Sequence, residues 1–260
     1  MGTAEIQGEL WGAAPEGWVT IQEPMHRPLF EAMLDAAKTA EGTHVLDAGC
    51  GGGGASVAAA ERGASVSGID AAEGLIRYAR KRVPEGDFRV GDIESLPFAD
   101  GAFHAVIAPN SVQYSADRVA TLRGFARVCR DGGRVVAGLF GAPEKVAFEP
   151  IFGAIRDALP EPPPGAGPFE LSMPGVLESL FEEAGLTIIE SSEVDCPFHY
   201  TDFGEFWKAN SSAGPSRGAA RAVGEAKLQE TLREATAAFQ QPDGSIRISP
   251  NYFKFVVAAA

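Results

Sequence analysis

Between residues 41 and 190 the apolar positions switch repeatedly between two rhythms. Short apolar or alternating runs at His44–Ala48, Ala64–Asp70, Asp87–Gly91, Phe103–Ala108, Arg134–Phe140 and Leu186–Glu190 predict strands. Helical spacing separates them. Ala55–Arg62 is followed by Ala71–Arg82, with Leu75, Ile76, Ala79 and Val83 on one face. Asp117–Arg130 carries Val119, Leu122, Ala126 and Cys129, and Pro174–Ala184 carries Val176, Leu177, Leu180, Phe181 and Ala184. The run from Phe103 is almost unbroken, as a parallel strand covered on both faces requires. Strands alternating with helices predict an α/β fold with a doubly wound sheet. Ser245–Ile248 and Tyr252–Val257 supply its last strand.

Three stretches fall outside this alternation. Residues 1–40 precede the first strand, and Leu29, Met33, Leu34 and Ala37 make Pro28–Lys38 an amphipathic helix. Before it, Trp11, Trp18 and Met25 lie in a segment containing Pro and Gly. Two Trp there predict either packing against the domain edge or a lid over cofactor and substrate. Residues 142–170, with Phe148, Phe152, Phe169 and the low-complexity run Pro160–Pro168, read as one insertion. Residues 191–243 read as a second, holding Cys196-Pro197-Phe198-His199-Tyr200, Phe203, Phe206, Trp207 and a long helix through Leu228, Leu232, Ala235 and Phe239. The expected organisation is an N-terminal lid over 1–40, then one domain over 41–260 with a mainly helical cap built from the two insertions.

The chain is organised around Val45-Leu46-Asp47-Ala48-Gly49-Cys50-Gly51-Gly52-Gly53-Gly54, a strand running into a glycine-rich turn and a helix. Glycine alone takes positive φ without steric cost and lets a ligand lie on bare backbone. The helix that follows offers unpaired N–H groups to an anion. A dinucleotide fold places a pyrophosphate there. Asp47 would repel one, and would suit an ammonium group. Asp70 ends the second strand close to the roughly 20-residue interval at which an acid binds a ribose. It also stands where the N-cap of the next helix belongs.

Composition narrows the partners. Of 260 residues, 45% are hydrophobic, enough for one large α/β domain with a cap or for two small ones. The formal charge of −13 lacks the cation excess that phosphate contacts need, so neither nucleic acid nor a membrane surface is expected. Arg77, Arg80, Lys81 and Arg82 sit on a predicted helix and read as its solvated face. Cys50, Cys129 and Cys196 form no Cys-x-x-Cys pair, so no disulfide framework or metal site is expected and a reducing cytoplasm is the default. Met1–Glu5 does not read as a signal peptide, and no 18-residue apolar run occurs. Oligomeric state is left open.

The order Asp47-x-Gly49-x-Gly51-x-Gly53 resembles motif I of the class I S-adenosylmethionine (SAM)-dependent methyltransferases. Gly91-Asp92-Ile93-Glu94-Ser95-Leu96-Pro97-Phe98 resembles the next motif of that family. Asp131-Gly132-Gly133 resembles its Pro-Gly-Gly turn, with Asp131 in place of Pro, and Ala184-Gly185 matches the helix end before strand six. The resemblance is strongest over 43–140, weaker to 190, and architectural beyond. The chain is similar to the small-molecule branch that includes ubiquinone/menaquinone-biosynthesis and natural-product tailoring enzymes. What the resemblance implies is a Rossmann-like seven-stranded sheet, its final strand antiparallel and slotted between strands five and six. It also implies SAM as cofactor, held by Asp47, Gly49, Cys50, Gly51, Asp70, Ala71, Asp92, Ile93 and Asn110. Asp92 would accept from the adenine amino group, Ile93 would give backbone N–H and apolar contact to the ring, and Asn110 and Ser111 would stand near the sulfonium.

The implied reaction is methyl transfer to a small molecule, on O, N or C. A wall of Trp18, Tyr114, Phe198, Tyr200 and Trp207, with Phe148, Phe152, Phe203 and Phe206, suits an apolar or aromatic acceptor, although several of these would form the cap's own core. Tyr114 faces the acceptor or packs on the next helix. Among four His, His44 and His104 begin strands and His26 and His199 lie in the lid and cap segments; His199, beside Tyr200, is the leading candidate for a general base. The same cofactor contacts would serve a methyltransferase-fold enzyme that binds SAM and catalyses a cyclisation or rearrangement. The glycine spacing and Asp47 argue against a nicotinamide oxidoreductase, and the full set of contacts disfavours a non-catalytic module.

Overall fold

The computed structural model describes residues 3–161 and 167–260. Strands β1 (His44–Ala48), β2 (Ser65–Asp70), β3 (Asp87–Val90), β4 (Phe103–Pro109) and β5 (Cys129–Phe140) run parallel, with Val45 opposite both Val66 and Ala105. The seven-stranded sheet has the order β3-β2-β1-β4-β5-β9-β6, where β6 is Thr187–Asp195 and β9 is Tyr252–Ala259. β9 lies antiparallel between β5 and β6, the arrangement expected for the last strand.

Strand pleating sorts the core. Val45, Ala105, Ile107, Val136 and Phe255 face one layer: α3 (Arg27–Ala36), α4 (Gly54–Glu61) and α5 (Glu73–Arg82). Leu46, Ala48, Val106, Ala108 and Val256 face the other: α6 (Arg118–Val128) and α8 (Val176–Glu183). Strand order reverses between β1 and β4, and the crevice beyond their carboxyl ends is where an open α/β sheet binds ligands.

Several elements differ from expectation. Strand six runs to Asp195, past Glu190, because β6 is a sheet edge, where Ser191, Ser192 and Glu193 are tolerated in a strand. Ser245–Ile248 does not join the last strand: β8 (Ile246–Ile248) pairs with β7 (Phe198–Tyr200) in a separate ribbon. Pro250 has no N–H to carry a central ladder onward, and Asn251 bridges to Val146. The Asn251 side chain donates to the Ile248 carbonyl at 2.7 Å and accepts from the Phe148 N–H at 2.9 Å, tying ribbon to cap.

The first insertion contains α7 (Glu149–Asp157), with Pro150 in its first turn. Residues 162–166 of the proline-rich run lie outside the described residues. The second insertion forms α9 (Phe203–Asn210), α10 (Gly214–Val223) and α11 (Glu225–Thr236), and Gly224 at φ +88° separates the last two. Asp202 caps α9, accepting from the Glu205 N–H at 2.9 Å. The segment before α3 is largely helical: α1 (Ala4–Gly12), the single turn α2 (Pro15–Gly17), then tighter and wider turns over Trp18–His26. Among the described residues no helix is long and apolar enough to cross a membrane.

Candidate active site

Local chemistry builds the floor of the site. Gly49, Gly51 and Gly53 take φ of +79°, +54° and +86°, which side chains would resist. A Cβ at Gly49 would strike Ser111, whose hydroxyl donates to the Ala48 carbonyl at 2.6 Å and so joins the ends of β1 and β4. Asp70 reaches across from β2. Its Oδ2 accepts from the Gly51 N–H at 2.9 Å and its Oδ1 from the Ala72 N–H at 2.8 Å. One carboxylate therefore fixes both the glycine turn and the entry to α5, while also lining the cavity.

The N–H groups at the start of α4 are not left for a ligand anion. Glu23, from the segment before α3, fills that seat: its Oε1 accepts from the Gly52 N–H at 2.9 Å, and the Gly54 N–H also bonds to its carboxylate. Arg82 pairs with Glu23 Oε2 and donates to the Val19 carbonyl at 2.6 Å and the Gly52 carbonyl at 3.1 Å. Burial pushes the Glu23 carboxyl up to about 7, against the pull of Arg82 and the two N–H groups.

Asp47 departs from its expected role. It is fully buried and does not line the cavity. The pleat of β1 turns it to the same face as Val45, beneath the turn, where its Oδ2 accepts from Ser56 Oγ at 2.7 Å. Burial, then the neighbouring Glu23 and Asp70 charges, push its carboxyl up to about 7. It therefore lies under the turn, outside the cavity lining.

A cavity of about 770 Å³ opens above this floor. One half is lined by Gly49, Cys50, Gly51, Asp70, Ala71, Asp92, Ile93 and Asn110, every expected cofactor residue except Asp47. Asn110 Oδ1 and Gln113 Oε1 are buried acceptors with no partner among the described residues. Acceptors dominate, and Arg82, the cation nearest the turn, is spent on Glu23. Such a half complements a cationic ligand rich in donors, and bare Gly51 leaves it room: a Cβ there would come within 3.1 Å of Glu23 Oε1.

The other half is apolar, with Phe30, Phe140, Phe148, Phe152, Phe169 and Phe198 on its walls. Trp18 and Tyr114, both expected at the substrate, line the cavity, and Trp11 stacks edge-on to Trp18 at 4.8 Å. Three other expected residues are not brought to it. His199 is exposed, because alternation in the β7–β8 ribbon turns Phe198 and Tyr200 inward and His199 out. Tyr200 is fully buried, donating to Gln22 Oε1 at 2.6 Å. Trp207 is partly buried and packs against the apolar core that includes Phe206.

His26 is the histidine that lines the cavity. Its ring lies 5.6 Å from Trp18 and 5.3 Å from Phe198, where the two halves meet. Sequence reasoning passed over it together with Gln22 and Glu23. A signal was present: Trp18, Gln22, His26 and Phe30 recur every fourth residue, one helical face, but Pro24 and Pro28 made the segment read as irregular.

A model of the methyltransferase domain family matches residues 46–137. The demethylmenaquinone methyltransferase of Beutenbergia cavernae is 36% identical over 129 residues, 50% of this chain and 54% of that protein. The malonyl-(acyl-carrier protein) O-methyltransferase of Serratia marcescens is 34% identical over 118 residues, 45% of this chain and 46% of that protein. The chain thus spans about half the length of these curated relatives. Among solved structures, the (4+2)-cyclase SpnF superposes with a TM-score of 0.58 at 18% identity, covering 90% of this chain and 80% of that one, a likeness of fold.

Proposed function

We propose, for a chain built on a class I methyltransferase domain, that the whole protein transfers a methyl group from SAM to a small, apolar or aromatic acceptor held under the lid and cap. One observation carries this: a chamber walled by Phe rings opens directly onto a glycine turn edged with hydrogen-bond acceptors. The organisation that goes with it is a lid over residues 1–40 and a domain over 41–260 whose insertions, 142–170 and 191–243, form the cap.

SAM, when bound, supplies an electrophilic methyl group on a sulfonium, so the hard chemistry is the cofactor's. The chain's residues bind, orient and dry the site. Gly49, Cys50 and Gly51 give bare backbone for close approach. Asp70, still with free lone pairs, accepts from ribose hydroxyls, and Asp92 and Ile93 stand for the adenine. Asn110 Oδ1 and Gln113 Oε1 accept from the donors of the amino-acid end. Trp11 and Trp18 close the roof and exclude water, and the Phe walls align the acceptor.

Incubation with methyl-labelled SAM and a panel of polycyclic aromatic acceptors tests this. Label should pass to the organic product with one S-adenosylhomocysteine formed per turnover. A converted acceptor without S-adenosylhomocysteine would instead make the chain a SAM-bound cyclase or isomerase. No heat on titrating SAM would end both versions.

A further inference from the structure

His26 is held as a neutral base. Its Nδ1 lies 3.0 Å from the Gln22 carbonyl, which can only accept, so Nδ1 carries the proton and Nε2 keeps its lone pair. Gln22 is itself fixed through its side chain by the Tyr200 hydroxyl. Trp18, Phe30, Phe198 and Phe253 ring the imidazole at centroid distances of 5.2 to 6.3 Å. No carboxylate bonds to it: Glu23, three residues back, is engaged by Arg82 and the glycine turn. Nε2 has no protein hydrogen-bond partner among the described residues. Because His26 lines the cavity, a ligand donor can reach this open acceptor.

We propose that His26 is the general base of the transfer and that the acceptor presents a hydroxyl, phenolic or enolic, to its Nε2. This rests on the methyl-transfer function proposed above. The proton leaving the hydroxyl goes to Nε2. The oxygen's electron pair enters the new bond to carbon, and the pair of the C–S bond stays on sulfur. The imidazolium then returns its proton to solvent.

The choice of oxygen follows from the base. Its apolar surroundings push the imidazole down to about 4, so it is neutral at working pH but weakly basic. Such a base does not generate the carbanion of an unactivated carbon acid. It suffices for a hydroxyl, whose proton is released from a phenol of pKa about 10 and grows far more acidic as the oxygen is alkylated. A neutral amine would need no base before attack.

The probes are 2-naphthol and 2-methoxynaphthalene, titrated calorimetrically into protein saturated with S-adenosylhomocysteine. Wild type should bind 2-naphthol about tenfold more tightly, the value of one well-made buried hydrogen bond. His26→Phe should equalise the two, and His199→Ala should leave the difference intact. In wild type labelled with 15N-histidine, 2-naphthol should shift the Nε2 resonance of His26 and 2-methoxynaphthalene should not, a readout that needs no variant. Equal affinities in wild type, or an unmoved Nε2 with 2-naphthol bound, overturn the base and leave the apolar chamber standing. Binding of neither probe removes the proposed acceptor class as well.

Discussion

Glu23 does two jobs with one carboxylate, and its cost is legible in pH. Glu23 and Asp47 ionise at about 7 when folded, against reference values of 4.5 and 3.8. The native state therefore holds protons that the unfolded chain has already lost. The stability this gives is complete below about pH 4 and disappears as pH rises through 7. His26, depressed to about 4, acts oppositely, but only below its reference value of 6.5. Between pH 6 and 8 the carboxylates decide. The Tm of ligand-free protein should fall by about 4 °C or more across that interval, and Glu23→Gln should cut the fall to about half, Asp47 carrying the rest. A level Tm in wild type would refute the assignment. Asp70 makes a second case. Its two oxygens accept from two N–H groups, and an Asn can accept at only one of those positions while losing the charge. Asp70→Asn should weaken SAM binding about tenfold or more by calorimetry.

At the scale of elements, the lid is set by the largely buried Glu23–Arg82 pair and by close backbone approach rather than by its exposed ion pairs. Lys208–Glu16 and Arg221–Glu9 join it to α9 and α10, but all four side chains are well exposed and each pair is worth little. Gly17 matters more. A Cβ there would strike the Lys208 carbonyl and Ser212 Oγ on the α9 side. Gly17→Ala should lift Trp18 and Glu23 from the glycine turn. The expected results are a loss of about 1–3 kcal/mol, faster release of bound SAM in stopped flow, and proteolytic cleavage before residue 27. Unchanged release would mean that the lid does not govern the cofactor. Elements also differ in how well they can be read. β1 to β4 and α5 stood within a residue or two of their predicted ends, because they are periodic and, apart from β3, buried. α7 was hidden by Pro150 within a proline-rich insertion although Ile151 and Ile155 keep helical spacing, and the outer half of β6 by polar edge residues, where exposure removes the hydrophobic rhythm.

Over the whole molecule, lid, cap and sheet share one apolar core. Leu29 and Met33 of α3, Phe148 and Ile151 of the first insertion, Phe206 and Leu232 of the second, and Phe253 and Phe255 of β9 belong to a single buried cluster. The cavity is walled by all of these parts, so ligand and fold are coupled. Thermal unfolding should show one transition. SAM at a hundred times its Kd should raise Tm by about 5–10 °C, from about 2.7 kcal/mol of linkage in a chain of this size. A separate early transition for the lid and cap would show that the shared core does not bind them cooperatively.

The sequence by itself determined the doubly wound sheet, the glycine turn and the acid at the end of β2. Those follow from periodicity and turn chemistry, which act between near neighbours along the chain. Only the tertiary structure decided which polar side chains meet the ligand. Pleat parity sent Asp47 under the turn and His199 to the surface, and the docking of residues 18–30 against β7, β9 and the glycine turn brought Glu23 and His26 in. Contacts between residues so far apart in the chain depend on how faces pack in three dimensions, and no local spacing encodes that.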